Sequence, residues 1–144
     1  MRYLVIIVCC LALSGCASKP KQDDSNYGAS IGIVNHTDKF IYSAAVNGAG
    51  GGNMAAYGAG YGNVCCVMLP TKWRPGMMVS VQWDMPEGSK HVPREKIVEV
   101  ERYDEPGSIY LHFFPEEKVR VVVSRYYGGT QKHPIPGPIA PTQK

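Results

Sequence analysis

The sequence lacks a strong excess of either charge. It carries 15 Lys and Arg residues against 12 Asp and Glu residues, a formal net charge of +3, and no long block of one sign. Domains that bind nucleic acid usually present a strongly basic face. We therefore expect no nucleic-acid partner.

The sequence also lacks an apolar run long enough to span a membrane. Residues 3–13 are uncharged and follow Arg2, but a spanning helix needs roughly 20 apolar residues. A run of this length is typical of a secretory signal. It ends in Leu-Ser-Gly-Cys at residues 13–16, which resembles the lipobox of bacterial lipoproteins. We predict a signal peptide over residues 1–15 and lipidation of Cys16; the alternative is a plain signal peptide with an incidental cysteine.

Lipidation of Cys16 would place the mature chain on a membrane surface. One acyl chain gives only marginal binding, but a bacterial lipoprotein cysteine typically carries two or three. Ala17 and Ser18 follow, where an Asp would resemble the inner-membrane retention signal of enterobacterial lipoproteins. We expect a lipid anchor in the outer membrane, with the protein facing the periplasm.

Few cysteines remain for the folded domain. Cys9 and Cys10 would leave with the signal peptide, so only Cys65 and Cys66 are left besides the lipidation site. Two buried thiols in a strand and a vicinal disulfide, which the periplasm permits, are both open. In either case we predict that both sulfurs are protected from thiol reagents in the native protein.

Motifs for metal binding, cofactor binding and catalysis are lacking as well. The four histidines show no metal-ligand spacing with one another or with the cysteines. The sequence contains neither a Gly-x-Ser-x-Gly elbow nor a phosphate-binding loop with its Lys-Ser/Thr. His112 is interpreted as an ordinary strand histidine. We expect no catalytic residues, no metal and no cofactor, and hence a binding protein rather than an enzyme.

Glycine and proline are plentiful, with 16 and 11 residues, and no amphipathic helix is evident. Short apolar or alternating segments are separated by turn residues, which predicts an all-β antiparallel sandwich or small barrel. This domain should cover residues 30–127, between a flexible tether at 16–29 and a disordered or polyproline-like tail at 128–144. The seven predicted strands are residues 30–36, 40–47, 64–69, 77–83, 94–103, 108–114 and 118–126. The run at 64–69 is expected to be buried on both faces.

Two segments are candidates for partner binding. Residues 47–63 contain seven glycines and are expected to form a long loop whose backbone could approach a partner closely; a merely flexible surface loop is the alternative. Trp73 lies in a turn between two cations, and Trp and Arg are enriched at interface hot spots; it could instead cap the core. The candidate partner-binding residues are Gly50, Gly51, Gly52, Asn53, Tyr57, Trp73 and Arg74.

Several segments together resemble a family of short bacterial lipoproteins long described only as a domain of unknown function. The resemblance covers roughly residues 30–127 and rests on residues 47–53, 64–67, 69–76, 103–107 and 112–115. Members are commonly encoded beside phospholipase effectors of the type VI secretion system, and some are regarded as immunity proteins. The resemblance implies a protein that binds and neutralises its cognate phospholipase effector, but it supplies no residue contacts. The alternatives are a structural or adhesion-type envelope lipoprotein, and an enzyme or small-ligand receptor that uses the glycine-rich loop.

Overall fold

The structure, a computed structural model, describes residues 25–142. The predicted signal peptide and Cys16 lie outside the described residues. Within the described range, no helix has the length and apolarity needed to cross a membrane. The range contains eight β-strands: β1 (Asn26–Asn35), β2 (Ile41–Val46), β3 (Ala49–Met54), β4 (Val64–Pro70), β5 (Met78–Asp84), β6 (Pro93–Glu99), β7 (Ser108–Phe113) and β8 (Val119–Ser124).

The strands form two four-stranded sheets that pack face to face. The first sheet has the order β4-β1-β7-β8 and the second has the order β3-β2-β5-β6. All pairs are antiparallel except β1 with β7, which is parallel. The sheets of residues 25–142 do not close into a barrel. The predicted all-β sandwich is therefore confirmed.

Alternating apolar residues build the core between the sheets. Val79, Val81 and Trp83 of β5 point inward, as the sequence pattern predicts, and all three are buried. Burial of side chains of this size contributes about 1.5–3 kcal/mol each. The Trp83 indole meets the ring of Phe113 from the first sheet, with 5.5 Å between ring centroids. This aromatic pair joins the two sheets near one end of the sandwich.

The strand directions define two ends of the sandwich. β1 starts at what we call the proximal end, which also carries the loops at 47–48, 71–77 and 100–107. β1 stops at the distal end, which carries the loops at 36–40, 55–63, 85–92 and 114–118. A ten-residue strand such as β1 is about 30 Å long. The two sets of loops are therefore well separated.

Strand β4 corrects one prediction. It was expected to be buried on both faces, but only Val67 and Leu69 are buried, while Cys65 and Met68 are exposed. The reason is its position at the edge of the first sheet, where only β1 pairs with it. An apolar run of six residues thus conceals an ordinary alternation of inward and outward side chains.

The glycine-rich segment is only partly a loop. Residues 49–54 form β3, which pairs with β2, so the eighth strand lies where a continuous loop was predicted. A register shift between Ile41 and Ala44 turns Ile41, Ala44 and Val46 inward. Tyr42, which the simple alternation could have placed inside, is 53% exposed.

The prediction of a disordered or polyproline-like tail is wrong for residues 128–135. This part of the tail packs on the outer face of the first sheet, where His133 and Ile135 are buried, whereas residues 139–142 are exposed. Ile135 packs with Val34, Tyr110 and Val122 in a second apolar cluster. The sequence does not reveal this packing, because two buried side chains in a proline-rich segment are too few to give a periodic pattern. The other boundary also differs, since β1 starts at Asn26 rather than near residue 30.

Candidate functional site

The distal end contains a cavity between the sheets. Its volume is about 240 Å³. The aromatic walls come from Trp83, Phe113 and Phe114, which the ends of β5 and β7 carry to this position. Met85 and Pro115 complete the apolar lining. Charged side chains from two loops and from the start of β6 form the rim: Asp38, Lys39, Arg94, Glu116, Glu117 and Lys118.

Arg94 fixes one side of this rim. Its guanidinium donates from Nη1 to the carbonyl oxygens of Val92 and Met85, at 2.8 and 3.2 Å, and from Nε to Glu117 Oε1 at 2.6 Å. Its side chain is only 14% exposed, so these bonds hold it in one position. Arg94 therefore joins the loop at 85–92 to the turn at 114–118.

The turn between β7 and β8 is strained. Glu116 and Glu117 have φ angles of 60° and 55°, a left-handed conformation that L-residues adopt rarely. The hairpin between β2 and β3 uses Asn47 and Gly48 at positive φ instead, which are the residues such turns prefer. The ion pair with Arg94 stabilises Glu117 in this conformation, whereas Glu116 has no ion-pair partner among residues 25–142. Retained strain of this kind points to a functional role.

We expect Glu116→Asn to stabilise the protein by about 0.5–1 kcal/mol, because Asn adopts the left-handed conformation at lower cost. Urea unfolding of the variant and the wild type measures this difference. Glu116→Gln is the matched control, since it removes the same charge without relieving the backbone. Equal stability of the Asn and Gln variants would contradict this account of the strain.

Asn35 ties the distal loops together. Its side chain is fully buried; the amide nitrogen donates to the carbonyls of Lys39 and Ala55, at 2.7 and 2.9 Å. Its Oδ1 accepts from the backbone N–H and the hydroxyl of Thr37, at 3.0 and 2.7 Å. Tyr57, another non-glycine residue at positive φ, donates its N–H to Thr37 O. The position of Tyr57 at the distal end thus follows from the buried amide.

Three histidines form a hydrogen-bonded chain beside the cavity. His36 Nε2 lies 2.9 Å from His112 Nδ1, and His112 Nε2 lies 2.9 Å from His133 Nε2. His133 Nδ1 lies 2.8 Å from Tyr126 O. His36 also stacks on the cavity-lining Phe114, with 4.2 Å between ring centroids.

The carbonyl oxygen of Tyr126, at the end of the histidine chain, determines the tautomer of each of the three histidines. A carbonyl oxygen only accepts, so His133 Nδ1 carries the proton and His133 Nε2 accepts from His112 Nε2–H. His112 Nδ1 therefore accepts from His36 Nε2–H. All three rings satisfy these bonds in the neutral state, with His112 fully buried.

Burial of this chain disfavours protonation. Desolvation lowers the pKa of His112 to about 2, with smaller contributions from His133, His36 and Arg120. Desolvation also lowers the pKa of His36, to which Arg120 adds. Desolvation lowers the pKa of His133, although its bond to the Tyr126 carbonyl acts in the opposite direction. No group of three or more metal-ligating side chains among the described residues could hold a metal ion.

The predicted partner-binding glycines lie on an edge strand. Gly50, Gly51, Gly52 and Asn53 belong to β3, at the border of the second sheet. At Gly50 the φ is +133° and an added Cβ would lie 2.7 Å from the carbonyl oxygen of Ala44, so the strand pairing itself requires glycine there. These residues lie away from the cavity lining, although Gly51 borders a shallow depression on the outer face of the second sheet.

Trp73 and Arg74 lie at the proximal end, separate from Tyr57. The Trp73 indole packs against the core and donates from Nε1 to Val100 O at 2.8 Å. This arrangement matches the core-capping alternative. Arg74 is exposed in the same turn. The structure therefore does not bring the seven candidate residues into one surface.

Cys65 and Cys66 form a vicinal disulfide. The interpretation as two buried thiols is wrong, because Cys65 is exposed on the edge strand. Protection from thiol reagents stays a prediction, now because the sulfurs are bonded to each other rather than hidden. The native protein should resist iodoacetamide until it is reduced and then take up two labels; labelling without reductant, followed by mass spectrometry, would contradict the bond.

The sequence analysis missed the distal cavity and the histidine chain. His36, His112 and His133 are far apart in sequence and show no ligand spacing, so only the sheet pairing and the packed C-terminal segment bring them together. Glu116 and Glu117 lie in the short segment between the predicted strands 108–114 and 118–126. The residue types were a clue, because two glutamates are poor choices for a tight hairpin.

Comparison with known protein families shows the family to which this chain belongs. Residues 34–121 match the family described as "Protein of unknown function (DUF3304)". The chain belongs to this family. Comparisons with curated proteins and with solved structures return no match.

The DUF3304 match covers the distal site. It begins at Val34, in β1, and ends at Val121, in β8. Asn35, the cavity lining and two members of the histidine chain fall inside it. His133 and the C-terminal segment lie beyond the matched range. A segment outside the matched range thus completes a polar chain that starts inside it.

Proposed function

We propose that this protein is a lipid-anchored, periplasm-facing immunity protein that binds and neutralises a phospholipase effector of the type VI secretion system. The observation that carries the proposal is the distal end of the sandwich. There an apolar cavity, a charged rim and strained loops lie together on a rigid β framework. Membership in DUF3304 agrees with the resemblance to a family of unknown function, and it is that resemblance to bacterial lipoproteins that implies the same function.

The position of the site suits a tethered inhibitor. The predicted lipid at Cys16 is followed by only a short segment before β1 starts at the proximal end. The distal loops then lie about 30 Å further along β1 and are presented away from the anchor. A phospholipase that works at the membrane surface would meet an inhibitor already concentrated there.

Inhibition needs a complementary surface rather than catalytic groups. The distal loops would cover either the active site of the effector or the surface with which it docks on the membrane. Loops held by buried polar groups, such as Asn35 and Arg94, lose little freedom on binding, and this favours affinity. The protein would therefore bind the effector through a surface that is already ordered in the free protein.

Protection of cells tests the proposal. The phospholipase encoded by the neighbouring gene is directed to the periplasm, with and without the full-length lipoprotein. We expect growth and membrane phospholipid content to be restored by the wild type. Cys16→Ser, measured at equal protein level, should leave the membrane fraction and protect less.

Different negative results of the protection experiment lead to different conclusions. Loss of protein from membranes in Cys16→Ser with undiminished protection would remove the need for the anchor but keep the inhibitor. No protection by the wild type at any level would overturn the proposed function. Envelope defects on deletion of the gene, without any effector present, would favour a structural or adhesion-type envelope lipoprotein.

A further inference from the structure

We propose that the distal cavity receives a single apolar side chain of the protein partner, and that Glu116 pairs with a neighbouring lysine or arginine of that partner. This inference rests on the proposed function in taking the partner to be a protein. It goes beyond the proposed function by naming the binding surface on this protein and the chemistry of the partner residues that occupy it.

The size of the cavity selects the kind of occupant. Pockets for small-molecule ligands usually measure about 300–1,000 Å³, whereas this cavity measures about 240 Å³. Its walls are the rings of Trp83, Phe113 and Phe114 together with Met85 and Pro115. A space of this size with apolar walls fits one large aliphatic or aromatic side chain better than a substrate.

The rim has the character of a protein interface. Three cations and three anions line the opening. No single charge therefore dominates, whereas a site for phosphate or for a lipid headgroup would require an excess of cations. Apolar centres with polar rims are the common anatomy of protein–protein contacts, and side chains that fill pockets contribute most of the binding energy. The surface therefore matches a polypeptide loop.

Glu116 supplies the charge complementarity. It is exposed at the tip of the strained turn, and no ion pair joins it to another side chain within the part of the chain described. The other rim glutamate, Glu117, is bound by Arg94. With Asp38, Glu116 is thus one of two rim anions that have no ion pair among the described residues, and it lies on the strained turn.

Binding of the adjacent-gene phospholipase to full-length protein variants tests the inference. Asp38→Trp places an indole over the cavity mouth, and Glu116→Arg reverses the charge; both side chains are exposed. We expect each to raise Kd by at least about tenfold. The matched controls, Asp104→Trp and Glu105→Arg, lie in a turn at the proximal end and should change Kd by less than about twofold.

A second probe keeps the inference separate from the proposed function. Acetyl-Lys-Phe-amide at millimolar concentration carries both recognised groups, and NMR of the labelled protein follows the Trp83 indole and the Glu116 amide. We expect shifts at both groups, and their loss in Asp38→Trp. Wild-type affinity of both distal variants for the phospholipase would overturn the inference, as would the absence of peptide shifts at Trp83. A phospholipase that fails to bind while the peptide shifts persist would overturn the proposed function alone.

Discussion

Asn35→Ala is expected to destabilise the protein by about 3–5 kcal/mol. The side chain is fully buried and makes four hydrogen bonds, two as donor and two as acceptor. Its removal leaves the carbonyls of Lys39 and Ala55 and the hydroxyl of Thr37 without this partner. Each buried polar group left unsatisfied costs about 1–3 kcal/mol. Urea unfolding at neutral pH measures the loss.

Two further variants separate the role of Asn35 from a general effect of asparagine removal. Asn53→Ala, on the exposed edge of β3, should change stability by less than about 0.5 kcal/mol. Asn35→Asp preserves the shape but turns a carboxylate oxygen towards two carbonyl oxygens, so it should also be strongly destabilising. Wild-type stability of Asn35→Ala would show that the buried amide does not hold the distal loops.

The second large effect is a loss of stability on acidification from pH 6.5 to pH 5. The unfolded chain protonates His112 near pH 6.5, whereas the folded protein keeps it neutral down to a pKa of about 2. Between these values the unfolded state binds one more proton, so the free energy of unfolding falls as pH falls, by about 1.4 kcal/mol per pH unit. His112 alone therefore removes about 2 kcal/mol over this window. His36 and His133, whose pKa values are also lowered, add to the loss.

The structural reason is the burial of His112. A second proton on His112 would give its Nδ1 a hydrogen that points at the Nε2–H of His36, so His36 would have to move its own proton to Nδ1, and the charge on His112 would stay buried. Urea unfolding at pH 7, 6 and 5 measures the slope, above the range in which most carboxylates titrate. A free energy of unfolding that stays constant between pH 7 and pH 5 would contradict the account.

Matched variants assign the slope to its source. His112→Gln should be less stable than the wild type at pH 7 but show a flatter pH dependence. Ile135→Ala weakens the packing of the same C-terminal segment without removing a titrating group, so it should keep the wild-type slope. His91→Gln, at an exposed histidine bound to Asp84, should keep the part of the slope that the buried chain produces.

Local patterns were sufficient to predict the architecture. The strict alternation at β5 and the turn residues between strands gave the all-β sandwich, because inward and outward side chains of a half-buried strand differ in polarity. They were insufficient at β4, where the exposed residues Cys65 and Met68 look apolar in sequence. They also failed at β3, because glycines carry no side-chain pattern and yet fit the edge of a sheet.

The candidate site was less predictable, for a topological reason. The cavity is lined by residues from 37–39, 83–94 and 113–118, three segments that are separated in sequence. Trp73 has the composition of a hot spot but packs on the core through its bond to Val100 O. Tyr57 was named as a candidate partner-binding residue because of the composition of its loop, and the structure places that loop at the distal end. Its backbone bond to Thr37 could not have been inferred from the sequence.

The central claim is that the distal end of this protein inhibits a phospholipase by direct contact. The most direct measurement is hydrolysis of phospholipid vesicles by the phospholipase of the neighbouring gene, titrated with the purified lipoprotein. We predict that activity falls linearly to near zero at one inhibitor per enzyme. Asp38→Trp should need a large excess, and Asp104→Trp should match the wild type. Unchanged hydrolysis at a micromolar excess of the wild type, with no complex by calorimetry, would contradict the claim.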